Sequence, residues 1–387
     1  MKILFAADVP RDPNSGAAGT EYQTIQALRK LGHEVDEIWA ADLPHRIKHG
    51  NLHYLLELPK GYRDAIRERW LSKSYDVIHV NQGHSYLAAL DHKRQERRGI
   101  FVVRSHGLDD HAENVLKSWR KRLGIRNRAL LKSFPGRIID IMLDRHMKLA
   151  TRYAAGFIVS SSLDRQFLLE RHGMPPERVA CIPQAPPDFF RNRPVPEFAP
   201  SRLRRLLFVG GVVYWKGPHT VAAVVNELCR NHQDISFTWV CGKDVHGTAL
   251  NMLSPGARAR TRMIGLGRQE DLFSIYDDHG IFLYPPLFDG FGKVFIEAMS
   301  RGLCVIATPT GGMKDILQDE INGCLVPFHA PNLIIRRIEY LMDNISRAAE
   351  ISTAAILTSK DYSWERVARE TEKFYRSLLM IRDDVLV

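Results

Sequence analysis

Ile281-Phe282-Leu283-Tyr284-Pro285-Pro286-Leu287-Phe288-Asp289-Gly290-Phe291-Gly292-Lys293-Val294-Phe295-Ile296-Glu297-Ala298-Met299-Ser300-Arg301-Gly302-Leu303-Cys304-Val305-Ile306-Ala307 sets out one unit of the fold. A short apolar run ends at Tyr284, a loop broken by prolines and glycines follows, a helical run spans 293–301, Gly302 closes it, and a second apolar run begins. Short runs rich in Val, Ile and Phe that alternate with helix-length amphipathic segments predict parallel sheets covered by helices. Working outward, the same reading places strands at 206–209, 237–241, 261–264, 281–284, 303–307 and 324–326 in the second half. In the first half it places them at 3–7, 34–39, 77–80, 101–104, 157–160 and 180–182. The fold class is therefore α/β, with each half its own doubly wound unit.

Length supports the division, since 387 residues exceed what one hydrophobic core usually serves. Between the halves runs Pro183-Gln184-Ala185-Pro186-Pro187-Asp188-Phe189-Phe190-Arg191-Asn192-Arg193-Pro194-Val195-Pro196, whose prolines forbid regular elements and suit an interdomain linker. The expected domains are 1–185, a linker 186–202, a second domain 203–365 and a C-terminal helix 366–387 that packs back on the first domain. Two Rossmann-like domains facing across a cleft are the expected arrangement, because doubly wound sheets bind ligands at the carboxyl ends of their strands.

Composition excludes several classes. Hydrophobic residues at 45% and charged residues at 25% are those of a globular chain. No run of about 18 apolar residues reads as a membrane span, and the first apolar run, broken at once by Asp8, Pro10, Arg11 and Asp12, is too short for a signal peptide. Cys181, Cys229, Cys241, Cys304 and Cys324 are odd in number and form no Cys-x-x-Cys pair, which reads as reduced core thiols of a cytoplasmic protein. No Gly-x-Gly-x-x-Gly occurs, which argues against a dehydrogenase.

The net charge of +10 is concentrated in Lys117, Arg120, Lys121, Arg122, Arg126, Arg128, Lys132 and Arg137. Such a patch implies acidic partners. One reading is a peripheral contact of residues 115–137 with the inner face of a membrane, Val115, Leu116, Trp119 and Leu123 sharing one face among cations. The other is a solvated helix that turns the same stripe inward. No aromatic platform accompanies the charge, so nucleic acid is not an expected partner.

Two glycines at the start of a helix let backbone amides approach an anion, which the helix dipole favours. Gly290 and Gly292 stand there, with Phe291 between them, and the carboxylate of Glu297 can accept hydrogen bonds from ribose hydroxyls. Lys216, followed by Gly217, is a mobile point charge suited to a diphosphate. The plain alternatives for these residues are a capped helix with loop charges and a solvated lysine.

Asp289 to Glu297, continuing Ala298-Met299-Ser300-Arg301-Gly302, resembles the acid-x7-acid motif of the family 4 retaining glycosyltransferases of GT-B fold. The resemblance extends, in family order, to Gly16-Ala17-Ala18-Gly19-Thr20-Glu21, Leu31-Gly32-His33-Glu34-Val35, Ser105-His106-Gly107, Phe208-Val209-Gly210 with Lys216-Gly217, Gly311-Gly312, and Asn322-Gly323-Cys324-Leu325-Val326. It implies a hexosyltransferase that moves sugar from a nucleotide-diphosphate donor to a hydroxyl acceptor: a glycan, a lipid-linked glycan or a small molecule. It implies that Glu297 holds the donor ribose, that Asp289 and His106 meet the transferring sugar, that Lys216 meets the diphosphate, and that Gly210, Gly290, Phe291 and Gly292 line the donor site. Gly16 and Gly19 belong to the loop on the acceptor side.

The chain departs from the pattern twice. The first acid is Asp289 where members carry Glu, and Gly211 stands where many place an Arg. His79 and His84 read as core or rim residues, and the nucleotide base is expected to meet backbone around 262–265. The resemblance implies no metal and no cofactor beyond the substrate nucleotide sugar, and no Asp-x-Asp or His/Cys cluster stands out as a metal site. Two other readings use the same residues: a nucleotide-sugar epimerase of this fold, which would release a free epimer without an acceptor, and a non-catalytic sugar-nucleotide binding protein, which would bind donor tightly without turnover.

Overall fold

A computed structural model describes residues 1–125 and 133–386 of the chain. Among the described residues, twelve strands form two six-stranded sheets whose neighbours all run parallel. The first sheet holds β1 (Lys2–Ala6), β2 (Glu34–Ile38), β3 (Val77–Asn81), β4 (Ile100–Arg104), β5 (Gly156–Val159) and β6 (Val179–Cys181). The second holds β7 (Arg205–Val209), β8 (Ser236–Cys241), β9 (Thr261–Gly265), β10 (Ile281–Tyr284), β11 (Cys304–Ala307) and β12 (Cys324–Leu325). Central strands are buried along their whole length, as in β4 and β10, because helices cover both faces and leave no polar side to alternate. The edge strand β2 keeps charges instead, and Lys73 pairs there with Glu34 and Asp36 at 2.6 and 2.7 Å.

The first sheet has the order β2-β1-β3-β4-β5-β6, so the chain reverses direction across the sheet between β1 and β3. The second, β12-β11-β10-β7-β8-β9, is the doubly wound order 3-2-1-4-5-6 within its own unit, with the reversal between β7 and β10. Loops diverge to opposite faces at such a point and leave a crevice outside the strand ends, where ligands of this architecture bind.

The chain divides into one unit of Met1–Pro183 with Trp364–Val387 and another of Gln184–Ser363. Each has its own apolar core. In the first unit the C-terminal helix, Trp364–Leu386, buries Phe374, Tyr375 and Leu378, and the Tyr375 hydroxyl meets His79 Nδ1 at 2.5 Å.

The proline-rich segment is not a bare linker. A short helix, Asp188–Asn192, follows Pro187 and stops before Pro194, so the prolines bracket a turn of helix instead of forbidding it. Phe190 is fully buried in the core of the second unit, against Phe273 and Tyr276. Arg301, also fully buried, donates to the carbonyls of Phe190, Arg193 and Pro194 and forms a two-pronged pair with Asp277 at 2.7 and 3.0 Å. The segment is thus tied to the helix Val294–Ser300 that precedes Arg301.

Candidate active site

The loops after β7 and β10 flank the reversal point of the second sheet, and backbone contact clamps them together. Gly217 has φ +76°, and a Cβ there would stand 2.2 Å from the Pro285 carbonyl oxygen, so only glycine lets the loops approach this closely. Leu287 N–H donates to the Trp215 carbonyl at 2.7 Å. Pro218 then opens the helix Pro218–Asn231 at a position where its missing N–H costs nothing.

This clamp brings the predicted residues Lys216 and Asp289 together. Lys216 Nζ lies 2.6 Å from Asp289 Oδ2 and donates to the Tyr284 hydroxyl at 3.0 Å, and that hydroxyl donates to the same Asp289 oxygen at 2.5 Å. Burial works against charge on Lys216, but Asp289 and Tyr284 outweigh it and hold the ammonium above its ordinary value. Burial also lifts the Tyr284 phenol, and Asp289 adds to the rise, so the hydroxyl stays a donor. The result is a fixed cation next to a carboxylate at the carboxyl end of β10, a place where a second anion can be received.

Gly292, at φ +86°, turns the loop into the helix Val294–Ser300. Gly311 and Gly312 pack against this turn: a Cβ on Gly311 would lie 2.7 Å from the Asp289 carbonyl oxygen, and Gly312 N–H donates to the Phe291 carbonyl at 3.0 Å. Glu297 sits in the first turn of the helix, 2% exposed, and accepts from the Tyr276 hydroxyl at 3.0 Å. Burial pushes its carboxyl above the ordinary range, although Lys293 and Tyr276 pull the other way.

Two expected donor contacts have other work. Gly210 gives its N–H to Val240 and its carbonyl to the Trp239 indole, both at 3.0 Å, so it closes the sheet and offers no amide. The Phe291 ring is buried in the core beside Phe295, which leaves only its backbone at the turn. At Gly211, where the resemblance notes an arginine in many members, a Cβ would meet nothing within 4 Å.

In the first unit, the helix Ala17–Lys30 starts earlier than the glycine loop implied. Gly16 is its cap, but Gly19 lies buried inside the first turn, not on a loop. Glu21, two residues further along the same helix, is fully buried and accepts from His106 Nε2 at 2.8 Å. Burial alone would raise the Glu21 carboxyl, but His106 and Arg104 reverse this and hold it down to about 2. Arg104 is itself fully buried and donates to Thr24 Oγ1 at 3.0 Å. His79 is a core residue, stacked on Phe5 at 4.1 Å, and burial lowers it to about 3. His84 stacks on Tyr54 at 4.8 Å.

Tyr284, Tyr276 and Glu21 are the partners that sequence reading missed. A tyrosine closing an apolar strand and one on an amphipathic helix look like core residues, and nothing in their spacing announces the carboxylate they serve. Missed as well was a histidine cluster: Asp8, His45 and His53 place ligand-capable atoms within 4.8 Å of one another. The signal was present as His45-x3-His49-x3-His53, but the carboxylate lies far away in sequence.

In the basic stretch, the helix Asp109–Arg122 buries Leu116 and partly buries Val115 and Trp119, so its apolar stripe turns toward the protein and leaves Lys117, Lys121 and Arg122 exposed. Arg126, Arg128, Lys132 and the side chain of Arg137 lie outside the described residues. Among the described residues no helix is long and apolar enough to cross a membrane.

Residues 15–185 match the sequence family described as glycosyltransferase family 4, and residues 191–358 match that described as glycosyl transferases group 1. The gpi3 subunit of phosphatidylinositol N-acetylglucosaminyltransferase from Schizosaccharomyces pombe is 26% identical over 243 residues, 62% of this chain and 52% of that one. The chain thus spans about half the length of this curated relative. Among solved structures, a sucrose-phosphate synthase from Thermosynechococcus elongatus superposes with a TM-score of 0.75 at 19% identity, over 98% of this chain and 100% of that one. HepE from Anabaena, in complex with UDP and glucose, superposes with a TM-score of 0.68 at 16% identity, over 97% and 100%. These likenesses establish the architecture.

Proposed function

Because this chain belongs to the family 4 glycosyltransferases of GT-B fold, we propose that it is a retaining enzyme that moves a hexose-type sugar from a nucleoside-diphosphate donor to a hydroxyl acceptor, with no metal at the diphosphate. The observation that carries this reading is the Lys216–Asp289–Tyr284 cluster at the reversal point of the second sheet. In the proposed reaction the bond from the anomeric carbon to phosphate oxygen breaks, the leaving diphosphate takes the electron pair, and the acceptor oxygen bonds to that carbon while its proton passes to the leaving diphosphate. Lys216 meets the negative charge that grows on the leaving group, and its pairing with Asp289 means that it need not be recruited from solvent. Asp289, one methylene shorter than the family's glutamate, is anchored by two donors and presents its carboxylate to the sugar. Glu297 takes the ribose hydroxyls, and the Gly290 and Gly292 backbone takes phosphate oxygens. His106, whose ring Glu21 orients, is assigned to the transferring sugar.

Support for a nucleotide donor comes from the solved relative that holds UDP and glucose. The relative named for phosphatidylinositol supports including inositol-bearing lipids among the acceptors. The exposed Lys117, Lys121 and Arg122 supply charge for a peripheral contact with an anionic lipid surface, without help from the inward-turned stripe.

Thermal shift against UDP, GDP and ADP sugars selects the donor, since a ligand of the native state raises apparent stability logarithmically with its concentration over its dissociation constant. Transfer is then measured on a panel of glycan, inositol and lipid acceptors, with the anomeric configuration of the product read by NMR. Lys216→Ala and Glu297→Ala are each expected to lower kcat/KM by at least 100-fold, which corresponds to about 3 kcal/mol, with an unchanged circular dichroism spectrum. Wild-type turnover in both would remove the site assignment, and an inverted product would remove retention.

A further inference from the structure

A second constellation stands at the reversal point of the first sheet, between the ends of β1 and β3. Asp8 follows β1, with its side chain 5% exposed and its backbone N–H bonded to the Tyr62 hydroxyl at 2.8 Å. His45 Nε2 approaches Asp8 Oδ1 at 2.8 Å, and His53 Nε2 approaches Asp8 Oδ2 at 3.2 Å. The two rings stack with centroids 4.8 Å apart. His49, more than half exposed, stands at the rim with Nε2 3.5 Å from Asp8 Oδ2.

The other nitrogen of each inner ring is already committed. His45 Nδ1 faces the Leu43 carbonyl at 3.1 Å, and His53 Nδ1 faces Glu57 Oε2 at 2.9 Å. Both partners are acceptors to which each Nδ1 can donate, which leaves the Nε2 atom of each ring, facing the Asp8 carboxylate, as the one a metal ion would take. Glu57 is fixed in turn by the N–H groups of Arg46 and Ile47, each at 2.9 Å. The five residues His53–Glu57 form a single π-helical turn, with Leu58 N–H bonded to the His53 carbonyl, a distortion found frequently at functional sites.

Two imidazole Nε2 atoms and a carboxylate converge within 4.8 Å of one another, an arrangement that a divalent cation completes by displacing the protons from the two nitrogens. Carboxylate or carbonyl groups on the far nitrogens are the usual outer partners of metal-bound histidines, because they fix the tautomer and the ring plane. Donor atoms bound about 2.0 to 2.1 Å from a tetrahedral ion lie roughly 3.3 Å apart; here the three ligand atoms lie within 4.8 Å of one another, and each Nε2 already touches one or the other Asp8 oxygen, at 2.8 and 3.2 Å, so a small closure completes the set. We propose that Asp8, His45 and His53 bind a divalent transition metal, zinc by its ligand set of two nitrogens and one carboxylate oxygen, with the fourth position open toward His49 and solvent. The ion would pin the segment that joins β2 to the following helix onto the end of β1. It is separate from the donor chemistry assigned to the second unit and does not depend on it.

The full chain, freed of metal by a chelator and dialysed, is titrated with zinc, and bound metal is counted by mass spectrometry after desalting. The expected result is one zinc per chain. Cobalt in its place should give the visible absorption of a four-coordinate nitrogen–oxygen site. His45 is largely at the surface, so His45→Ala keeps the fold, checked by circular dichroism, and is expected to weaken zinc binding by at least 10-fold. Asp8→Asn, which preserves shape, should do the same. Failure to retain zinc in the wild-type chain, or wild-type affinity in both variants, would overturn the site.

Discussion

Single residues in this protein are held by partners that sequence spacing does not disclose. Glu21 is one: a buried carboxylate kept ionised by His106 and Arg104, with its pKa down to about 2. An acid whose folded value is lowered contributes stability that is present above the unfolded value near 4.5 and is lost as pH falls toward the folded one. Urea unfolding of wild type is therefore expected to show a loss of stability between about pH 4.5 and 2 that Glu21→Gln lacks. At pH 7 the same variant should be less stable by about 3 kcal/mol, because buried Arg104 loses its counter-charge. Equal stability at both pH values would show that the pair does not hold the helix to β4. Legibility at this scale was uneven. Lys216, Asp289 and Glu297 stood out through their place in a motif, but that Lys216 and Asp289 are bonded to each other, with Tyr284 as a hub, depends on how two distant loops meet.

At the scale of elements, the strands were legible to within a residue at each end, because a strand buried on both faces must be apolar throughout and its neighbouring loops must be polar or rich in glycine. Less legible was what the loops do. Gly217 and Gly211 look alike in sequence, yet one is pressed against the Pro285 carbonyl at positive φ and the other faces open space. Gly217→Ala is expected to cost more than about 1 kcal/mol from the backbone conformation alone, with the steric overlap added, and to spread the loops that hold Lys216 and Asp289. Gly211→Ala should leave stability within about 0.5 kcal/mol of wild type. Thermal melts of the two variants decide this; equal losses would refute the clamp. The prolines of 183–196 misled for a related reason: a proline limits its own φ and its neighbour's, but a short helix between two prolines violates neither, and burial of Phe190 decides that it forms.

On the scale of the molecule, the chain leaves the first unit at Pro183 and returns to it at Trp364. The returning helix supplies Phe374, Tyr375 and Leu378 to the first unit, and a Cβ on Gly156 of β5 would strike the side chains of Leu378 and Phe374. Full burial of such side chains stabilises by about 1.5 to 3 kcal/mol each. A chain ended at Ser363 is thus expected to show a calorimetric transition of the first unit lowered by at least 5 °C, with that of the second unit in place, and His79 to become titratable by NMR once Tyr375 is gone. A first unit that melts as before would show that the helix is dispensable. By itself the amino-acid sequence determined two doubly wound parallel sheets, their strands and the motif residues, because strand burial and loop chemistry are local properties written in the order of residue types. Only the tertiary structure decided the partnerships: Lys216 with Asp289, Glu21 with His106, Glu297 with Tyr276, Asp8 with His45 and His53. Each joins groups on separate elements, and the distance between them is set by strand order and loop packing, to which no local pattern of residues is sensitive.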